Sequence, residues 1–219
     1  MRATLTILAA IFFSTSAAAQ ECVEPEVLID STVSISRPAD GSGLYTLRGS
    51  AWFIKRTELV AIHHVVEAFA LSRDEWREIS ITQQYPGSIW WNEVKVHVRI
   101  KRMIAEDEVP EGLHFLELKE PLAWPIQLAK IRTTPFVAGE AAIGIAYSQG
   151  TLTAARGQFV PFSQPVAPGH PKYVANFELV RRTERDVLLG GSSGGPIFDC
   201  EGRVMGVISR IFPESMFGV

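Results

Sequence analysis

The stretch Gly190-Gly191-Ser192-Ser193-Gly194-Gly195-Pro196 decides how this chain is read. A serine hydroxyl is a poor nucleophile. It has to be presented on a tight turn beside a base, with backbone N–H groups aimed where an oxyanion forms. Glycines permit both conditions. Gly191 and Ser193 would supply two N–H donors, each worth about 3 kcal/mol in the transition state. Gly194 and Gly195 let the chain turn without a Cβ clash. Composition alone would make the run a flexible linker. Its surroundings argue otherwise: Pro196, Ile197 and Phe198 follow at once and lead through a hairpin at 199–202 into Val204, Met205, Gly206, Val207 and Ile208, so the turn lies between strands.

Gly191 to Gly195 also satisfies the G-x-S-x-G pattern of α/β-hydrolases, in which the histidine follows the serine. The 5 histidines here, His63, His64, His97, His114 and His170, all precede Ser193, which excludes that architecture unless a partner chain supplies the base. A phosphate-binding loop is excluded as well, because no lysine follows the glycines.

The run Gly191-Ser192-Ser193-Gly194-Gly195-Pro196 resembles the G-[DN]-S-G-G-P signature of the trypsin and chymotrypsin family, bacterial trypsin-like peptidases included, with Ser192 where an acid or amide is usual. In that family the base ends an early strand in a T-A-A-H-V-like motif. Val60-Ala61-Ile62-His63-His64-Val65-Val66 is similar to it, which implies His64 as base, about 130 residues before Ser193, with one residue on each of two barrels. His63 fills a place usually held by a small residue and is expected to support its neighbour.

The third member of such a site is a carboxylate that holds the base in the right tautomer and stabilises its imidazolium. The family pattern D-[IL]-A-L-L-K-L aligns with Gly112-Leu113-His114-Phe115-Leu116-Glu117-Leu118, which puts glycine where the aspartate belongs and His114 where alanine does. A carboxylate must then come from elsewhere. Glu111 is the first candidate and Asp107, in the acidic segment 105–111, the second. If none reaches His64, turnover would fall about 10⁴-fold. A protease fold used only for binding therefore remains open.

The rest of the chain fits the two-barrel architecture. Short β-rich runs at 45–54, 59–62, 89–100, 113–118, 140–147, 151–160, 173–180 and 203–211 are punctuated by Gly, Pro, Asn and Ser, and Val94, Val96, Val98 and Ile100 alternate. This spacing points to an all-β fold. The resemblance makes it two antiparallel six-stranded Greek-key barrels with the site in the cleft between them, the first over about 30–120 and the second over about 136–211. A short helix is expected at 65–71, a solvated turn at 72–78, a connector at 121–125 and 129–135, and a surface loop at 161–171, where four prolines exclude a sheet interior.

Residues 1–19 read as a secretory signal: Met1 and Arg2, an apolar run over 3–13, then small residues ending at Ala19. A helical membrane span needs ~20 apolar residues and this run has about half. Glu21 before Cys22 argues against a lipoprotein signal. Signal removal leaves a domain over 20–219 with two cysteines, Cys22 and Cys200, in an oxidising compartment, secreted or periplasmic, and one disulfide is the economical reading beside two unpaired thiols.

A formal net charge of -3 and no Lys/Arg run exclude a phosphate-binding or anionic membrane surface. The expected partner is a polypeptide substrate, with no nucleic acid, no membrane after signal cleavage, no metal, no cofactor and a monomeric chain. The resemblance further implies that Ser209, at the end of Gly206-Val207-Ile208-Ser209, lies on the strand lining the substrate cleft. It also puts Val187, six residues before the nucleophile, at the base of the first specificity pocket, with Asp186 beside it. Val187 offers no carboxylate for Lys or Arg, so a small or apolar substrate side chain is expected.

Overall fold

The computed structural model describes residues 22–39, 46–85, 91–104, 112–160, 176–180 and 190–209. Six strands, β1 (Thr32–Pro38), β2 (Thr46–Lys55), β3 (Glu58–Ile62), β4 (Arg77–Gln84), β5 (Trp91–Ile104) and β6 (Leu113–Leu118), close into an antiparallel barrel in the order β1-β2-β3-β6-β5-β4. The second unit is a six-stranded sheet. Its strands are β7 (Lys130–Ile131), β8 (Ala141–Ser148), β9 (Thr151–Val160), β10 (Asn176–Val180), β11 (Pro196–Phe198) and β12 (Arg203–Val207), in the order β10-β9-β8-β11-β12-β7. The all-β, two-unit architecture read from the sequence is the one observed. One pairing departs from a purely antiparallel plan: β7 runs parallel to β12, with Arg203 opposite Lys130.

Alternation explains how the two units meet. Ala51, Phe53, Leu59, Ala61, Leu116 and Leu118 point into the barrel beside Val33, Ile35, Ile79, Ile81 and Val98. The intervening Trp52, Val60 and Phe115 point outward and pack on Ile143, Ile145, Phe198 and Val204 of the second sheet. Strands β2, β3 and β6 are thus buried on both faces, which is why β3 is buried at every position. Fully burying each large apolar side chain contributes about 2–3 kcal/mol.

The N-terminal segment seals this junction. A single helical turn, α1 (Pro25–Leu28), and the 3₁₀ turn Ile29–Ser31 place Leu28 and Ile29 in the same cluster. Cys22 and Cys200 form a disulfide across a sequence separation of 178, and the Val23 N–H donates to the Cys200 carbonyl at 3.1 Å. The β11–β12 hairpin expected at 199–202 is present, closed by the Gly202 N–H on the Asp199 carbonyl at 3.0 Å.

Three local expectations are corrected. The helix expected at 65–71 is α2 (His63–Ala68), which starts two residues earlier because the His63 N–H finds a partner in the Gly112 carbonyl at 3.2 Å. The turn expected at 72–78 gives way at Arg77 to β4, whose Ile79 and Ile81 alternate into the barrel. The connector at 129–135 contains β7, because the edge of β12 offers it backbone hydrogen bonds.

Candidate active site

The turn bearing Ser193 is pinned to the barrel through Ser50 of β2. The Ser50 N–H donates to the Ser193 carbonyl at 2.8 Å. Its hydroxyl donates to the Gly191 carbonyl at 2.9 Å and accepts from the Tyr147 N–H of β8 at 2.9 Å. One buried serine thus holds the turn, the barrel and the second sheet together. Sequence reading gave no sign of Ser50; its role depends on which strands adjoin.

Two of the glycines are required by geometry. Gly191 has φ +95 and Gly194 φ +91. A Cβ at Gly194 would run into the Ser50 carbonyl and lie 3.6 Å from the Ile62 nitrogen. The turn therefore abuts the junction of β3 and α2, where the chain leads from Ile62 into His63 and His64 in the first helical turn. A Cβ at Gly49 would meet Val65 Cγ1 at 2.5 Å, so the helix seats directly on β2. This is how residues far apart in sequence reach one seam between the units.

The departure at Ser192 has a structural reason. Its side chain is fully buried and its hydroxyl shares a 2.7 Å hydrogen bond with the Ser148 hydroxyl of β8, a place with room for a small hydroxyl and no solvent for a charge. Ser193 is half-buried, and its hydroxyl donates to the Ser209 carbonyl at 3.2 Å. Ser209 thus faces the Ser193 hydroxyl through its backbone. The Gly194 N–H on the Ile208 carbonyl and the Ile208 N–H on the Gly195 carbonyl, both at 2.8 Å, keep the two segments in register.

At the aligned acid position, Gly112 has φ +53, a left-handed conformation that glycine adopts without strain, and its carbonyl caps the His63 amide. Behind this turn lies a pair not anticipated from the sequence. His63 Nδ1 and His114 Nε2 are 3.0 Å apart, their rings stack with centroids 5.2 Å apart, and Glu67 Oε2 lies 3.7 Å from His63 Nε2. The β3–β6 register sets Ala61 opposite His114 and carries that buried ring to the foot of α2. Glu111, Asp107, Val187 and Asp186 lie outside the described residues.

Tyr147 completes the frame. Its hydroxyl accepts from the Gln84 N–H at 2.6 Å. Burial pushes the phenol up to about 12 against the opposing effect of that backbone hydrogen bond, so it stays neutral at any working pH.

No protein-family profile and no curated protein matches this sequence. Solved structures do. Deg5 superposes with a TM-score of 0.58 at 15% identity over 86% of both chains. Rv3671c from M. tuberculosis H37Rv, a serine-to-alanine mutant in an inactive form, gives 0.53 at 18% identity over 86% of this chain and 78% of that one. The serine endoprotease from Yersinia pestis gives 0.52 at 14% identity over 84% of this chain and 55% of that one. With its closed antiparallel barrel joined to a second sheet, this chain has the fold of the trypsin-like serine proteases.

Proposed function

We propose that this chain is an exported serine endopeptidase that works through an acyl-enzyme on Ser193, with His64 as general base. The observation that supports it most is the closeness of the Ser193 turn to the start of α2: a Cβ at Gly194 would lie 3.6 Å from the Ile62 nitrogen, two residues before His64. In the reaction, Ser193 Oγ bonds to the carbonyl carbon of the scissile peptide while His64 takes its proton. The C–N bond then breaks, and the amine leaves with that proton. Water, deprotonated by His64, releases the acid and restores the serine. The Gly191 and Ser193 N–H groups would stabilise the oxyanion; among the described residues, neither donates to the protein.

Export rests on the signal-like segment 1–19, on the Cys22–Cys200 disulfide, and on a chain in which no helix among the described residues is long and apolar enough to cross a membrane. Glu111 is the carboxylate we assign to His64. The test is hydrolysis of an unfolded protein by the purified chain, with loss expected in Ser193→Ala and His64→Ala and a drop in Glu111→Gln. Hydrolysis that survives Ser193→Ala would refute the assignment.

A second reading is favoured by Gly112, which has no side chain at the aligned acid position. It makes the chain a binding module on a protease fold, recognisable by peptide affinity without turnover.

A further inference from the structure

Beside Gly191 stands an arginine that the reaction above does not use. Arg48 on β2 is exposed, and a Cβ built at Gly191 would lie 3.9 Å from the Arg48 Cβ. Its guanidinium does not range freely. Arg48 Nη1 donates to the Gln149 carbonyl at 2.9 Å, and it lies against the face of residue 150 that glycine leaves open, within 2.5 Å of where a Cβ would stand. The turn that carries it is strained into shape, with Gln149 at φ 51 and Gly150 at φ +85, and the Gln149 N–H is anchored on the Gly190 carbonyl at 2.8 Å. The guanidinium thus rests on the turn adjoining the oxyanion glycine, held there by one hydrogen bond. Among the described residues it makes no ion pair, and it is exposed on a chain whose net charge is -3.

We infer that Arg48 is a specificity-determining residue that seats a carboxylate on the leaving-group side of the scissile bond. This rests on the peptidase reading of Ser193. The side follows from the layout: Ser193 Oγ points to the Ser209 carbonyl, on the segment continuing β12, whereas Arg48 flanks Gly191 from β2. A peptide whose acyl half lies along Ser209, with its carbonyl oxygen at the Gly191 N–H, therefore leads its amine half toward Arg48. A guanidinium presents a planar fork that matches a carboxylate, and holding it in place beforehand lowers the ordering cost of binding. The carboxylate would come from Asp or Glu just past the cleaved bond, or from the end of a chain cut close to its terminus.

The test compares two peptides that differ only in carrying Glu-Glu or Lys-Lys immediately after the scissile bond. The account expects kcat/KM to favour the acidic peptide about tenfold, the size of a partly exposed charge-assisted contact. Arg48→Glu should reverse the order. Lys119→Glu, which changes the net charge equally at the far end of β6 from Leu113, should leave it unchanged. The same ranking should appear in fluorescence anisotropy of these peptides on Ser193→Ala, which needs no turnover. Peptides ending two residues after the bond, with a free or an amidated terminus, separate a terminal carboxylate from a side-chain one. A ratio near one, a ratio untouched by Arg48→Glu, or one moved as far by Lys119→Glu would overturn the assignment. If no peptide is cleaved while binding still follows Arg48, the carboxylate seat stands and the peptidase reading falls.

Discussion

The hydroxyl of Ser50 donates to the carbonyl of Gly191 at 2.9 Å, and through that bond a barrel strand fixes the turn that carries Ser193. Ser50→Ala leaves both the Gly191 carbonyl and the Tyr147 N–H without this partner. The variant should lose about 2 kcal/mol of stability and acylate about tenfold more slowly. Denaturant melts and single-turnover ester hydrolysis measure the two effects.

Gly194→Ala puts a methyl at a positive φ and against the Ser50 carbonyl. Neither backbone can yield cheaply, because the Ser50 N–H is bonded to the Ser193 carbonyl. A loss of about 3 kcal/mol is expected, read as a fall in the urea midpoint. Gly139→Ala, a positive-φ glycine with open space around it, should cost visibly less.

Glu58 lies at the end of β3 remote from His64 and is almost fully buried. Burial alone would raise its carboxyl, but hydrogen bonds from Lys101 at 2.9 Å and Lys55 at 3.2 Å, with their charges, outweigh it and hold the group below the ordinary glutamate value. A carboxylate held lower in the folded chain than in the unfolded one stabilises above the unfolded value. That stability is lost as pH falls through the folded value. Glu58→Gln should therefore lower Tm at neutral pH, and the gap to the native chain should close below about pH 4. A gap that widens on acidification would contradict the ion cluster.

The Cys22–Cys200 bond closes a loop with a sequence separation of 178 and welds the N-terminal turn to the β11–β12 hairpin. Replacing both cysteines by serine should cost up to about 5 kcal/mol. Thermal melts with and without a dithiol reductant check it, and the native chain should show no thiol titratable before unfolding.

Much of this was legible beforehand, and the reasons are local. The expected strands at 113–118 and 151–160 coincide with β6 and β9, since turn residues bracket each run, Gly112 and Pro121 around the first and Gly150 and Pro161 around the second. Strands β1 and β4 escaped notice because each sends only two large apolar side chains inward, Val33 with Ile35 and Ile79 with Ile81, among polar neighbours. Gly194 announces itself because a close backbone approach demands glycine. Ser50, Ser148 and His114 do not: a serine on β2, a serine on β8 and a histidine on β6 acquire their partners only when strands pair, which no spacing along the chain reveals.

The most direct measurement is covalent labelling of the purified, folded chain with a fluorophosphonate, the modified residue being located by peptide mass spectrometry. One adduct on Ser193, absent from His64→Ala, is the result foreseen. A folded chain that stays unmodified, or one that carries the adduct on another serine, would contradict the pairing of base and nucleophile on which the account depends.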